Sequence, residues 1–249
     1  MLAVFDKSVA KAPEGLKSPA SGGEESGVAG IPALLQHFSD GKAGAVSINL
    51  GSSGALAYCS EKKSPFVPRI FAVVDNMFCL FEGLLENIGH LKQQYGLTKT
   101  ANEPILIIEA YRTLRDRGPY PAPQVVGDLH GKFAFILFDS TTKSIFIASN
   151  ADGGVPFFWG TDAEEHLVLS DDVEIVKKTC GKSFAPFPKG CFFTSAKGLE
   201  SFEHPLNVLK PVPRVDSQGE VCGATYKVDS DTKKKSVPRV GSAADWSSY

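Results

Sequence analysis

The chain has 249 residues, enough for one large domain or two small ones around a substantial buried core. Its 26 Lys and Arg against 28 Asp and Glu leave a formal charge of −2, which excludes the basic excess of a protein drawn to nucleic acid or anionic lipid by charge alone. At 43% hydrophobic and 22% charged, with 24 Gly and 16 Pro, the composition is globular, neither collagen-like nor broadly disordered.

Leu2 to Phe5 reads as a short first strand. Residues 6–30, rich in Gly, Ser, Pro and Lys and without an apolar period, read as a long mobile loop. Ile31-Pro32 opens a helix with Leu34, Leu35 and Phe38 on one side, stopped by Gly41. Ala45 to Leu50 and Ala55 to Cys59 are strands punctuated by Gly51-Ser52-Ser53-Gly54, and Arg69 to Val74 and Met77 to Phe81 are two more. Between the latter pair stands Asp75-Asn76, residues that tight hairpins favour. Leu84, Leu85, Ile88, Leu91 and Lys92 keep a helical period that Gly96 ends, and Pro104 opens a second helix, Ile105 to Arg115.

The clearest local signal is a strand pair, Lys132 to Asp139 and Lys143 to Ser149, joined through Ser140-Thr141-Thr142. Phe133, Phe135 and Leu137 alternate with Ala134, Ile136 and Phe138, so both faces are apolar and the strand belongs inside a layered structure. Pro156 to Trp159, His166 to Leu169, Cys191 to Ser195 and Leu199 to Phe202 are further strands, and Asp171 to Thr179 is a helix. From Asp229 onward Lys233-Lys234-Lys235 and several Ser, with few apolar groups, predict a disordered tail over 229–249. No internal repeat is present. The pattern predicts one α+β domain over 1–228, with sheets face to face and helices outside.

The longest apolar run, Phe133 to Phe138, is far below the roughly 18–20 residues of a bilayer-spanning helix, so no membrane insertion is expected. The opening Met-Leu-Ala-Val-Phe-Asp has neither a basic n-region nor a long apolar stretch, so no secretory leader is expected. Cys59, Cys79, Cys180, Cys191 and Cys222, odd in number and widely spaced, fit thiols in a reducing cytosol better than a disulfide framework. The expected location is cytoplasmic, with the nucleus as a second compartment, although Lys233-Lys234-Lys235 reads as a solvating run.

Gly131-Lys132-Phe133-Ala134-Phe135, the Asp152 turn and Pro156-Phe157-Phe158-Trp159-Gly160 together resemble the glutaminase domain of class II glutamine amidotransferases, the asparagine synthetases above all. In that family a G-x-F-A-F hairpin precedes an Asp-containing turn and a Pro-aromatic-aromatic strand. Glu82-Gly83-Leu84-Leu85-Glu86-Asn87 sits where the family has N-G-E-x-Y-N, and Asn102-Glu103 where it has S-D. The resemblance covers roughly residues 2–205 and implies an N-terminal-nucleophile-hydrolase-like αββα four-layer sandwich of two antiparallel sheets. Tyr95-Gly96-Leu97 and Leu114-Arg115-Asp116-Arg117, with the Met-Leu-Ala-Val-Phe start, are more specific. By them the chain is identified as a member of the plant aluminium-induced proteins with YGL and LRDR motifs, which resemble the amidotransferase domain standing alone.

Departures from the pattern carry the chemical expectation. Glutamine hydrolysis by this fold needs a thiol on the first residue of the mature chain, activated by the α-amine. Here Leu2 is large enough to block removal of Met1, so the expected terminus is a thioether. Where the family holds the oxyanion with an Asn side chain stands Glu82, whose carboxylate repels developing negative charge. The expectation is therefore a pseudoenzyme with no catalytic residue and no cofactor. The resemblance implies a residual pocket for a small amino acid or carboxylate. Arg69 would take the α-carboxylate and Glu103 the α-amine, with Glu82 and Gly83 beside them.

Other features read as structural. Arg112, Arg115 and Arg117 near a helix end read as complementing its dipole, with an anion or partner site as the alternative, and Ile105 to Ile108 is helix core. His37, His90, His130, His166 and His204 lack metal-ligand spacing, and Gly51 to Gly54 lacks the Lys-Ser/Thr end of a P-loop. The predicted function is a catalytically silent binding or scaffold protein of plant stress or hormone responses, self-associating and not binding nucleic acid. The alternatives are an amidohydrolase with its nucleophile relocated by cleavage at Gly190-Cys191 or Gly51-Ser52, and a purely structural homo-oligomer.

Overall fold

The computed structural model describes residues 1–18, 30–40, 42, 44–59, 69–116, 122–217 and 219–233, apart from the side chains of 69 and 230–233. In chain order its elements are β1 (Leu2–Phe5), α1 (Ile31–Ser39), β2 (Ala45–Asn49), a 3-10 turn (Gly51–Ser53), β3 (Gly54–Cys59), β4 (Arg69–Val74) and β5 (Met77–Leu85). Then come α2 (Ile88–Gln94), α3 (Glu103–Asp116), α4 (Ala122–Gly127), β6 (Gly131–Asp139), β7 (Ser144–Ser149), β8 (Phe158–Thr161) and β9 (Leu167–Ser170). The last are α5 (Val173–Cys180), β10 (Phe184–Pro186), β11 (Cys191–Thr194), β12 (Gly198–Ser201), β13 (Asn207–Val215) and β14 (Val221–Lys233).

Two six-stranded antiparallel sheets form, in the orders β10-β8-β9-β1-β3-β2 and β12-β11-β7-β6-β5-β4, with β13 and β14 as a separate hairpin. The two-faced strand β6 shows how they stack. Ala134, Ile136 and Phe138 join a middle cluster with Ala3, Phe5 and Leu169 of the other sheet, while Phe133, Phe135 and Leu137 join Leu106, Ile107 and Tyr111 of α3. Strand β1 is two-faced in the same way, because Leu2 and Val4 pack against Leu34 and Phe38 of α1 and Ile175 and Val176 of α5. The layers are thus helix, sheet, sheet, helix, as the strand pattern predicted. The Asp75-Asn76 hairpin also forms, both residues at positive φ (46° and 66°), the backbone of a two-residue turn that matches strand twist. No helix among the described residues is long and apolar enough to cross a membrane.

Three expectations are corrected. Leu84 and Leu85 do not begin a helix. They end β5, opposite Lys132 and Gly131, and α2 starts at Ile88. The helical period had counted Leu84, which is 50% exposed, and the local signal lost to nine cross-strand partners on β6. The segment 6–18 is not a mobile loop: Val9, Ala10 and Leu16 are buried, Ser18 N–H donates to Ser183 Oγ (3.0 Å), and Ser18 Oγ donates to Val221 O. Few but well-spaced apolar side chains suffice to pin a strap whose average composition is polar; residues 19–29 lie outside the described set. The tail does not begin at 229, because β14 runs to Lys233 and Asn207 Nδ2 donates to Asp229 O (2.9 Å). Pro211 and Pro213 had disguised β13, yet an edge strand tolerates proline. Residues 234–249 and the helix stop expected at Gly41 lie outside the described set.

Candidate functional site

Strand β1 lies between β9 and β3, so the chain starts inside a sheet. The Met1 ammonium meets Asp171 Oδ1 at 2.5 Å, and the two side chains are only 2% and 4% exposed. Ser170 Oγ donates to Met1 O (2.9 Å), which also accepts Asp171 N–H (3.4 Å). Neither Ser170 nor Asp171 stood out in the sequence as a partner of the terminus, because the turn from β9 into α5 is set by strand pairing from distant segments. The Met1 side chain enters the middle cluster between the sheets, which also holds Ala134. Phe5, at the other end of β1, lies over β6, its ring 5.7 Å from that of Phe138.

Across the second sheet the register aligns Arg69, Glu82, Ala134 and Ser149 as successive cross-strand partners on β4, β5, β6 and β7. Directly paired residues share a face, so Glu82 and Ser149 face the first sheet with Ala134. Glu82 and Ser149 are buried there, and Ser149 Oγ donates to Pro188 O (3.3 Å). Gly83 follows Glu82 at φ +120°, and a Cβ would stand 2.0 Å from Lys132 O, so only glycine fits this close approach. Arg69, Glu82 and Gly83 are therefore brought together, although the Arg69 side chain is outside the described set. Glu103 is not in the row. It opens α3, whose packed face meets the opposite side of β5 and β6, and Asn102 Oδ1 accepts Ile105 N–H (3.2 Å) at the same helix start. Position counting along the sequence could not reveal this split across the sheet.

The two places for a relocated nucleophile read differently. Cys191 is buried in β11, and burial pushes its thiol up to about 12, with Glu203 adding to the rise and Ser201 opposing it. Such a thiol carries almost no thiolate at neutral pH. Gly190 O is meanwhile held by Phe202 N–H (3.1 Å) and Ser201 Oγ (3.2 Å). Gly51-Ser52 is an exposed 3-10 turn. Among the described residues no group of three or more His, Cys, Asp or Glu is arranged to hold a metal ion.

The YGL and LRDR segments converge. Tyr95, Leu97 and Leu114 pack on the cluster beneath α3, and a small cleft of about 160 Å³ is lined by Tyr95, Glu109, Arg112, Thr113 and Asp116. Gly96 supplies the positive φ (66°) that turns the chain out of α2. The arginines here do more than complement a dipole. Arg112 binds Asp75 (2.6 Å) in the β4–β5 turn and Glu109 (2.8 Å), while Arg115 binds Asp116 (2.6 Å) and Asp139 (2.9 Å) at the β6–β7 turn. The C-terminal half of α3 thus fastens two hairpin turns of the second sheet. Arg117 lies outside the described set.

Asp139 Oδ1 also accepts Thr141 N–H (2.9 Å) and Thr142 N–H (3.3 Å), and Tyr111 OH donates to Oδ2 (3.3 Å). Burial alone would push the Asp139 carboxyl up, but Arg115 and Thr142 outweigh it and hold it below the usual range. Asp139→Asn should cost about 1.5–3 kcal/mol at neutral pH, the range for hydrogen bonds to a charged group. A group depressed on folding stabilises fully above its unfolded value, about 3.9, and loses that contribution as pH falls through the lower folded value. The gap between wild type and Asp139→Asn in denaturant melts should therefore close in acid; a gap constant from pH 7 to about pH 2 would contradict the assignment.

Two antiparallel sheets between helices make this an α+β sandwich, with β1 held in the middle of one sheet. Residues 2–228 match the family described as aluminium induced protein, and the chain belongs to that family. It is 38% identical to stem-specific protein TSJT1 of Nicotiana tabacum over 148 residues, which cover 59% of this chain and 99% of that protein. It is 26% identical to the glutamine-hydrolyzing asparagine synthetase B of Escherichia coli over 126 residues, covering 49% of this chain but 21% of the synthetase. A structure of glutamine phosphoribosylpyrophosphate amidotransferase from B. subtilis overlaps 62% of this chain and 36% of its own, at 16% identity and a TM-score of 0.46.

Proposed function

We propose that this protein is a catalytically silent relative of the glutamine amidotransferases that serves as a binding or scaffold protein in plant stress or hormone responses, in the cytoplasm or nucleus. The observation that carries this reading is the Met1 position: a thioether in the middle cluster and an ammonium ion-paired with Asp171, where the hydrolytic chemistry requires a thiol and an amine able to take its proton. Glu82, buried in the facing row, supports the reading because the resemblance sets it where the family holds the oxyanion with an Asn donor, and a carboxylate there would repel the developing charge. The same reading includes self-association, for which Val46 on β2 and Val73 on β4, exposed on outermost strands, supply apolar surface.

Purified protein incubated with glutamine should release no ammonia above a protein-free blank, with intact mass measured on the same sample. Release by a chain whose mass still includes Met1 would overturn the reading. Release accompanied by a new Ser, Thr or Cys terminus would favour the relocated nucleophile instead.

A further inference from the structure

The strap 6–18 shapes a second cavity, at the far end of β1 from Met1. It leaves β1 after Phe5 and is pinned from beneath by Val9, Ala10 and Leu16. On its hairpin side Gly15 (φ +81°) lies so close to Pro211 that a Cβ would stand 2.9 Å away, and Tyr226 OH donates to Glu14 O (3.0 Å). With the backbone fixed on those sides, its charged side chains gather over the β8–β9 turn. There they line an open cavity of about 380 Å³, with Lys7, Lys11, Glu14 and Lys17 on the strap, Thr161 at the end of β8 and Glu165 on the turn. That volume is at the lower end of small-molecule sites and suits a ligand of roughly ten heavy atoms.

The charges are unevenly matched. Glu165, a non-glycine residue held at φ +69°, takes both Lys17 (2.9 Å) and Lys7 (3.6 Å) and ties the two ends of the strap together. Lys11 and the Glu14 carboxylate line the same cavity without a hydrogen bond or ion pair among the described residues. One ammonium and one carboxylate are thus left for a ligand, and the three lysines against two glutamates leave the wall net positive. We propose that this cavity binds a dicarboxylic α-amino acid, whose ammonium meets Glu14, whose carboxylates meet Lys11 and the Lys7–Lys17 rim, and whose net single negative charge complements the wall. Lysines act as point charges here, with no arginine fork among the lining residues. The site is separate from the Arg69–Glu82 row and requires no catalysis.

Isothermal titration of the intact protein with L-glutamate tests it, with glutarate, L-glutamine and inorganic phosphate as comparison probes. L-Glutamate should bind saturably, and glutarate, which lacks the amine, and L-glutamine, which lacks the second charge, about tenfold or more weakly. Lys11→Gln should abolish glutamate binding, and Glu14→Gln should remove the preference over glutarate; both side chains are exposed, so both variants should fold as wild type. No heat with L-glutamate at millimolar concentration would overturn the proposal. So would equal binding of glutarate or phosphate, or binding unchanged in both variants.

Discussion

Asp171→Asn should destabilise the protein by about 3–5 kcal/mol, the cost of removing one charge from a buried ion pair. For a chain of this size that is a fall in Tm of roughly 10 °C. The Met1 ammonium sits 2.5 Å from Asp171 Oδ1 with both side chains almost fully enclosed, so solvent cannot replace the lost charge. Asparagine keeps the size of the side chain and can still accept a hydrogen bond, which isolates the electrostatic loss from a cavity effect. Urea unfolding at neutral pH reads it directly. A change below about 1 kcal/mol, the size of a surface pair, would mean the ammonium has another adequate acceptor.

Phe135→Ala should cost about 3–5 kcal/mol, the usual range for deleting a buried aromatic ring. Phe135 is fully buried on the helix side of β6, edge-on to Phe146 at 5.3 Å between centroids and stacked near Phe133 at 6.1 Å. The loss combines transfer of the ring with the void left between the second sheet and α3, where neighbours on a six-stranded sheet cannot easily collapse inward. Phe135→Leu, which refills much of the volume, should recover most of the stability. Equal unfolding midpoints for the Ala and Leu variants would show that the cluster relaxes around the site.

What the sequence revealed, and what it hid, follows from the range of the forces involved. The alternation over 133–138 and the Asp75-Asn76 turn are local, and both appear in the structure as written. The layer order follows from them, since a strand apolar on both faces needs a layer on each side. Leu84 and Leu85 misled because a helical period and a strand end look alike over two residues, and only β6 decides between them. The strap 6–18 was invisible because a few buried side chains and hydrogen bonds to partners some 200 positions away hold it, and the β13–β14 hairpin because Pro211 and Pro213 broke its strand pattern. In the candidate site, Arg69, Glu82 and Gly83 were legible as a strand motif and are neighbours through a single hairpin. Glu103 was placed beside them by resemblance alone, and the intervening helix α2 carries the chain round to the other face. Asp171 belonged to a helix start in the sequence, and nothing local tied it to residue 1.

The clasp between the strap and the hairpin also bears on synthesis. Ser18 and Glu14 find their partners at Val221 and Tyr226, so the early strap must wait on the ribosome until nearly the whole described chain has been made. Strand β1 can pair with β3 early, but its second edge stays open until β9 emerges. Nascent chains therefore carry an unpaired strand edge, and a strap whose few apolar side chains are not fully covered, for most of translation, which is the exposure that chaperones bind and that favours aggregation.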